Sequence, residues 1–207
     1  SPEHVGALSE IPYTRLPRTT LWLLPEGEAR LGPRAASAAS VSMPALYVGK
    51  SLITVEQYRA FEPSHPGGGA DEPATGVSFE QAAAYCAWYA RMSKKAFRLP
   101  TAPEWEWACR SERLTRFPWG DDPAQGDAFA WSAENAGGRL RDIETKRANP
   151  FGLHDTIGLA WEWVVTPDGP ALMGGSFRTP LSELSAWTRR APTGDLSDVG
   201  FRILREL

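Results

Sequence analysis

The sequence predicts a single α+β domain with little regular secondary structure. Three observations lead to this class. Short strand-like segments occupy the first quarter of the chain, three helix starts of one type follow between residues 54 and 104, and turns with scattered aromatic residues fill the remainder. The chain of 207 residues holds 19 glycines, 18 prolines and 9 tryptophans, which favours irregular loops held by large aromatic side chains.

The strand-like segments come first along the chain. Pro25 and Gly27 interrupt an apolar stretch at 19–32, which predicts two short strands, and residues 41–53 are rich in β-branched and aromatic residues. No linker divides the rest of the sequence. Residues 21–207 are therefore predicted to form one domain, preceded by a polar N-terminal arm at 1–20.

Three capping boxes predict the helices. Thr54, Ser78 and Thr101 are each followed three residues later by Gln or Glu, the pattern in which the two side chains satisfy unpaired backbone donors reciprocally. The first helix is predicted to end before Pro63, and the second to cover about 79–92. The third carries Trp105, Ala108 and Cys109 at a spacing that predicts one apolar face.

Composition excludes several classes of function. A formal net charge of −3 and a pI near 5.7 give no electrostatic basis for binding nucleic acid or an anionic membrane. No apolar run reaches the roughly 20 residues that cross a bilayer, so we expect no direct membrane insertion. The first ten residues lack the order of a signal peptide, but they are compatible with what remains after its cleavage.

A series of short motifs resembles one family. These are ITVEQYRAF, VSFEQAAAYCAWYA, FRLPTAPEWEWACR, FPWGD, NPFGLHDTIGLAWEWV, MGGSF and VGFRIL, in that order. The chain is similar over about 21–207 to the formylglycine-generating-enzyme, or sulfatase-modifying-factor, domain. The resemblance implies a variant of the C-type-lectin-like fold.

The Trp-Glu-Trp triplets at 105–107 and 161–163 pose a choice between scaffold and reactive site. In the resembled family both segments belong to the framework. Trp105 lies on the apolar face of a capped helix, and Glu104 is the capping acid. Glu162 is able to accept an indole or arginine donor, and Arg98 is a natural partner for a nearby carboxylate. Hydrolysis would need two carboxylates facing a pocket, and no pattern places them there, so we predict a structural role.

The resemblance also shows which chemistry is missing. Formylglycine-generating enzymes hold copper with two cysteines just after the Gly-Gly-Ser motif, and these positions fall at about Thr179 and Leu184. A hydroxyl and an isobutyl group do not replace the thiolates that Cu(I) prefers. We therefore predict no catalytic residues, no metal and no cofactor.

Cys86 and Cys109 match structural disulfide cysteines of the family, but their usual partner positions hold residues such as Arg189 and Ile203. Two interpretations remain. The two cysteines pair with each other, which requires their Cα atoms to approach within roughly 7 Å, or they are small buried hydrophobic residues. Export of the protein would favour the disulfide.

The calcium sites of the family are also altered. Leu159 occupies the position of an asparagine ligand, and the loop after Asn135 is short and basic, although Asp142 offers an oxygen. We expect no structural calcium. His4, His65 and His154 are scattered without metal-ligand spacing, and a hydrogen-bonded structural role is favoured for His154.

The leading functional hypothesis is a pseudoenzyme that works by binding a protein. Its candidate surface combines arginines with an aromatic residue, a composition enriched at interfaces. The surface comprises Arg178, Thr179, Leu184, Trp187, Arg189 and Arg190. The structural alternative makes Trp187 core and the arginines partners of nearby carboxylates. Size and missing cysteines resemble the TagR-type accessory regulators of type VI secretion, which implies a periplasmic protein that promotes signalling by a transmembrane Ser/Thr kinase.

The second hypothesis is a copper-independent enzyme. Some family members without the cysteine pair are associated with periplasmic siderophore maturation by chromophore oxidation. The candidate groups are Glu183, Asp195, Asp198 and His154. A lectin-like carbohydrate binder is a third option, which the missing calcium ligands disfavour. An ionisable pocket would favour the enzyme, and an apolar patch beside Trp187 would favour protein binding.

Overall fold

The computed structural model describes residues 2–5 and 16–207. The part of the predicted arm at 6–15 lies outside the described residues. Within the described residues the strands are β1 (Pro2–Val5), β2 (Thr19–Leu24), β3 (Gly27–Ala29), β4 (Val41–Met43), β5 (Leu46–Gly49), β6 (Phe97–Arg98), β7 (Trp161–Thr166), β8 (Gly169–Met173), β9 (Arg189–Arg190), β10 (Val199–Gly200) and β11 (Leu204–Glu206). The helices are α1 (Val55–Arg59), α2 (Phe79–Ser93), α3 (Ala102–Arg110) and α4 (Gly126–Phe129). Short strands and helices joined by long irregular segments confirm the α+β class.

The strands form two main sheets. One is antiparallel and has the order β1-β2-β5-β11-β6, so the last strand of the chain lies between strands from its first half. The other has the order β10-β7-β8-β9, in which only the β10–β7 pair is parallel. The small β3–β4 pair lies apart from both. The five-stranded sheet therefore joins distant parts of the sequence.

All three predicted capping boxes are confirmed. The side chains of Thr54, Ser78 and Thr101 each accept a hydrogen bond from the backbone three residues on, and Gln57, Gln81 and Glu104 bond back to the capping residues. The helix predicted at about 79–92 extends to Ser93. None of the described helices is long and apolar enough to cross a bilayer.

The third helix departs from the prediction of one apolar face. Every residue of α3 from Glu104 to Arg110 is buried, including both glutamates and the arginine. The polar members are buried because each has a partner: Arg110 Nε bonds Glu106 Oε1 at 2.6 Å, and Arg98 makes two 2.8 Å bonds to Glu104. The spacing of apolar residues predicts which side of a helix faces the core, but it does not predict that the polar side is buried as well.

A buried ion pair joins α3 to both sheets. Arg202 and Glu162 are each 1% exposed, with Nη2 and Oε1 2.9 Å apart. The other Glu162 oxygen accepts the indole N–H of Trp105 at 2.9 Å and Arg202 Nε at 3.1 Å. The remaining guanidinium donors reach the carbonyl oxygens of Gly49, Lys50 and His154 at 2.7–2.9 Å. The pair is thus fully hydrogen-bonded, which is the condition for burying two charges.

We predict that Glu162→Gln lowers the free energy of unfolding by about 3 kcal/mol, because it leaves the Arg202 charge buried without a counter-charge. Urea denaturation measures the change. Glu206→Gln is the matched control: Glu206 is 55% exposed beside Arg98, and its loss should cost less than about 1 kcal/mol. Equal effects of the two substitutions would contradict this account.

Candidate functional site

A groove of about 510 Å³ lies beside the four-stranded sheet, between the segment that follows β8 and the segment that precedes β10. Its floor is formed by Trp161, Ser176 and Thr179. Its basic residues are Arg178, Arg189 and Arg190, and its acidic residues are Glu183, Asp195 and Asp198. The groove is therefore lined mainly by polar and ionisable side chains.

Two glycines determine the backbone conformation of the turn that leads into the groove floor. Gly174 and Gly175 have φ angles of 92° and 79°, a region that L-residues with side chains rarely adopt. A Cβ atom on Gly174 would lie 2.9 Å from the Trp105 ring, and one on Gly175 would lie 2.0 Å from Leu184 Cδ2. The backbone at this turn therefore packs directly against the core.

Ser176 is fully buried directly after these glycines. Its Oγ donates to Asp198 Oδ2 at 2.6 Å, and its backbone N–H donates to Thr179 Oγ1 at 3.0 Å. Asp198 also has a long 3.4 Å contact with Arg190 Nη2. These bonds tie the two chain segments that form the groove.

The arginines of the groove are held in different ways. Arg178 Nη1 bonds Asp195 Oδ2 at 3.0 Å, while the guanidinium of Arg190 lies over the Trp161 ring at 4.7 Å. Arg189 is exposed on β9. Hydrogen bonds from Ser197 and Arg178 lower the pKa of Asp195 to about 2, so this carboxylate is ionised at any physiological pH.

The structure brings together four of the six predicted binding residues. Arg178, Thr179, Arg189 and Arg190 line the groove. Leu184 does not line the groove: its side chain is 0% exposed and packs in the core around Trp105, so its predicted place on an exposed binding surface was wrong. The residue fills space beneath the turn at Gly174 and Gly175, a non-local contact that the sequence around position 184 does not indicate.

Trp187 lies outside the groove. The ring is half-buried against the same core, and the guanidinium of Arg110 stacks on it at 5.2 Å. Trp187 and Leu184 are the apolar residues that line the shallow depression beside the ring, and the other lining residues are polar or charged. The described residues therefore form no broad apolar patch there. Trp187 therefore packs against the core on one face and is accessible on the other, and its role in binding stays a prediction.

Of the four candidate groups of the enzyme hypothesis, three lie in the groove and one lies elsewhere. Glu183, Asp195 and Asp198 line the groove, but His154 does not. The ring Nδ1 of His154 lies 2.9 Å from the Lys146 carbonyl oxygen, and burial lowers the pKa of the imidazole. Among the described residues the groove holds no histidine to activate Ser176, so it lacks the parts of a Ser-His-Asp triad.

The residues at the copper position do not fit that metal. Thr179 Oγ1 already accepts the Ser176 N–H, and Leu184 offers no donor atom. The two thiols lie elsewhere, Cys86 in the aromatic core of the five-stranded sheet and Cys109 in the core beside Trp105. Burial raises the pKa of each thiol to about 12, so neither is a thiolate at neutral pH.

The disulfide favoured for an exported protein is absent. Cys86 and Cys109 are both free and belong to different hydrophobic clusters. Cys109 Sγ instead contacts the Thr156 carbonyl oxygen at 3.8 Å. The second interpretation, two small buried side chains, describes them correctly.

The calcium positions of the family are likewise occupied by other contacts. Leu159 is fully buried, and its backbone N–H donates to the Trp131 carbonyl oxygen at 2.8 Å. The side-chain oxygen of Asn135 accepts the Ser132 N–H at 2.9 Å. In the described part of the chain, no three His, Cys, Asp or Glu side chains are placed to hold a metal ion together.

Comparison with known proteins identifies the family. The model of the sulfatase-modifying factor enzyme 1-like domain matches residues 9–207. The chain belongs to this family. It is 30% identical over 168 residues to formylglycine-generating enzyme of Bos taurus, a match that covers 64% of the chain and 43% of that protein. It is 33% identical over 124 residues to the inactive Cα-formylglycine-generating enzyme 2 of Mus musculus, covering 53% of the chain and 38% of that protein.

Two solved structures have the same fold as this chain. The chain superposes on variable protein 1 of Treponema denticola with a TM-score of 0.84 and 21% identity, over 100% of the chain and 99% of that structure. It superposes on PvdO of Pseudomonas aeruginosa with a TM-score of 0.79 and 18% identity, over 92% and 95%. The matched stretch is less than half the length of the two curated relatives, whereas these solved structures match along nearly their whole length.

We expect neither thiol to react with Ellman's reagent in the native protein, because both are buried and protonated. Two thiols per chain should react in concentrated guanidinium chloride without any reductant. The absorbance of the released thionitrobenzoate counts them. If the unfolded protein released no thionitrobenzoate until a reductant was added, Cys86 and Cys109 would be joined in a disulfide and this expectation would be wrong.

Asp155 is buried close to the ion pair of Arg202 and Glu162. Its Oδ2 accepts the Glu144 N–H at 2.8 Å, whereas Oδ1 has no partner among the described residues. Burial raises its pKa to about 7. A raised pKa in the folded state means that the stabilising, protonated form is lost as pH rises from the unfolded value near 4 through 7.

We therefore expect the ionisation of Asp155 to lower the free energy of unfolding by about 3 kcal/mol between pH 5 and 8. Asp155→Asn should remove most of this slope, because an amide does not ionise and asparagine tolerates the φ of 58° at this position. Urea denaturation at each pH measures it. A slope that persists in the variant would assign the pH dependence to other groups.

Proposed function

We propose that this chain is a non-catalytic, protein-binding member of its family. The observation that carries the proposal is that Thr179 and Leu184, which offer no thiolate, stand where the family resemblance implies the copper ligands, and that Thr179 lines an open groove. A relative named as inactive belongs to the same family, which supports a role without oxidase chemistry. Arg178, Arg189 and Arg190 supply the type of side chain that is enriched at protein interfaces.

The partner is recognised through charge and hydrogen bonding. The described surface near Trp187 lacks a broad apolar patch, and the groove carries six ionisable side chains. We infer that a polar polypeptide segment of the partner enters the groove, since exposed arginines and backbone groups suit such a segment better than an apolar helix.

The biological setting that we propose is the bacterial periplasm. Resemblance to the TagR-type regulators supports a partner that is the periplasmic part of a transmembrane Ser/Thr kinase, whose signalling activates type VI secretion. In this proposal the chain promotes kinase signalling by contact alone. Membrane insertion and nucleic acid have no part in it.

The test uses the purified chain and the kinase in proteoliposomes, with binding and kinase autophosphorylation measured together. Arg189→Ala should weaken binding about tenfold and lower autophosphorylation in parallel, because it removes an exposed arginine from the groove. Arg91→Ala is the matched control, since Arg91 is exposed on α2 and does not line the groove. No binding by the wild type, or equal binding by both variants, would refute the proposal.

A second candidate is a copper-independent maturation enzyme that oxidises an aromatic siderophore chromophore. The ionisable lining of the groove is the observation that favours it. Such an enzyme would need an external oxidant, since the described residues supply neither a thiolate pair nor a metal cluster at the groove. Loss of two mass units from a chromophore precursor, blocked by Asp198→Asn, would favour this enzyme over the binding protein.

A further inference from the structure

The hydrogen-bonding capacity of the groove is unevenly used. Asp195 accepts bonds from Arg178 Nη1, the Ser197 N–H and the Ser197 hydroxyl at 2.5–3.0 Å. Asp198 accepts from Ser176 at 2.6 Å and contacts Arg190 at 3.4 Å. Two of the three acidic side chains are thus already engaged by donors of the protein itself.

The arginines are much less engaged. A guanidinium carries five N–H donors, and those of Arg178 bond through Nη1 alone. Arg189 is exposed, and no hydrogen bond or ion pair forms between its side chain and the described residues. The groove therefore has more unpaired hydrogen-bond donors than unpaired acceptors, and an anion, which only accepts hydrogen bonds, suits such a site.

Arg190 shows how this surplus is maintained. Its guanidinium lies over the Trp161 ring at 4.7 Å, so stacking fixes its position without using the N–H groups in the guanidinium plane. Its single acceptor contact, from Nη2 to Asp198, is long at 3.4 Å. Nε is buried and has no partner among the described residues, so the Nη groups are the donors left for a ligand. The side chain is 34% exposed, so its outer edge is available to a ligand in the groove.

We propose that the groove binds an oxyanion, a carboxylate or phosphate group, through the outer edge of Arg190 with Arg178 and Arg189 beside it. This inference deepens the proposed binding function and rests on it for the identity of the groove as the binding site. A planar guanidinium presents parallel donors that match the two oxygens of such a group. The partner segment therefore carries an acidic or phosphorylated residue.

Glu183 opposes such a ligand and provides a sharp test. It is exposed, lines the same groove, and has no side-chain hydrogen bond to any described residue. An unpaired carboxylate repels an incoming anion, so its neutralisation should strengthen binding. A groove that binds cations would show the reverse response.

The experiment titrates the isolated protein with succinate or inorganic phosphate at constant ionic strength, and follows backbone amide and arginine Nε–H signals by nuclear magnetic resonance. The wild type should show saturable shifts at Ser176 and Arg178. Arg190→Lys keeps the charge and removes the fork, and should weaken binding about tenfold. Glu183→Gln should tighten it about threefold, since a repulsive charge is lost at an exposed site.

Arg91→Lys is the matched control and should leave the dissociation constant within about twofold of the wild type, as expected for an exposed arginine outside the groove. Tighter binding of succinate would assign the group as a carboxylate, and tighter binding of phosphate as a phosphate. Shifts that never saturate, or equal constants in Arg190→Lys and Arg91→Lys, would overturn the inference. Glu183→Gln keeps the test decisive even if Arg190→Lys fails to fold.

The result is separable from that of the kinase experiment. Saturable, Arg190-dependent anion binding with no kinase binding would refute the proposed partner and leave the oxyanion site intact. Kinase binding that depends on Arg189 but is matched by no anion binding would refute the oxyanion site alone.

Discussion

The structure depends on one enclosed charge pair. Arg202, next to the last strand of the chain, donates to the Glu162 carboxylate and to the carbonyl oxygens of Gly49, Lys50 and His154. Desolvating a guanidinium is costly, and it is tolerated here because every N–H donor has an acceptor within 3.1 Å. Since those acceptors belong to both sheets and an intervening loop, the same contact also fixes how these parts meet.

The ion pair also helps to position the groove, because Glu162 and the groove residue Trp161 are neighbours on β7. Glu162 directs its side chain to the ion pair, while its neighbour Trp161 lies in the groove beneath Arg190. The parallel pairing of β7 with β10 sets Trp161 opposite Val199, which brings Asp198 to the groove floor. None of these contacts involves a thiol. The geometry of the groove therefore does not depend on a cysteine at position 179 or 184.

Local sequence signals predicted the parts of the fold that have local causes. The capping boxes at Thr54, Ser78 and Thr101 act within one helical turn, and an ordered series of motifs identified the domain. Local signals do not predict contacts between residues that are far apart in the sequence. The burial of Leu184 depends on a glycine turn folding over it, and the separation of Cys86 from Cys109 depends on which cores α2 and α3 enter. Trp161 and Ser176 were missed as groove residues for the same reason.

The packing at Gly175 restricts the side chain at position 184. A Cβ atom there would lie 2.0 Å from the Leu184 side chain, so the leucine and the glycine turn occupy space together as matched pieces. A cysteine at 184 is smaller and would leave a void, at a cost on the order of 2 kcal/mol. A single cysteine at 184 would thus weaken the fold without completing a pair of thiolate ligands. The packing of the interior therefore limits which side chains position 184 accepts, independently of any chemistry in the groove.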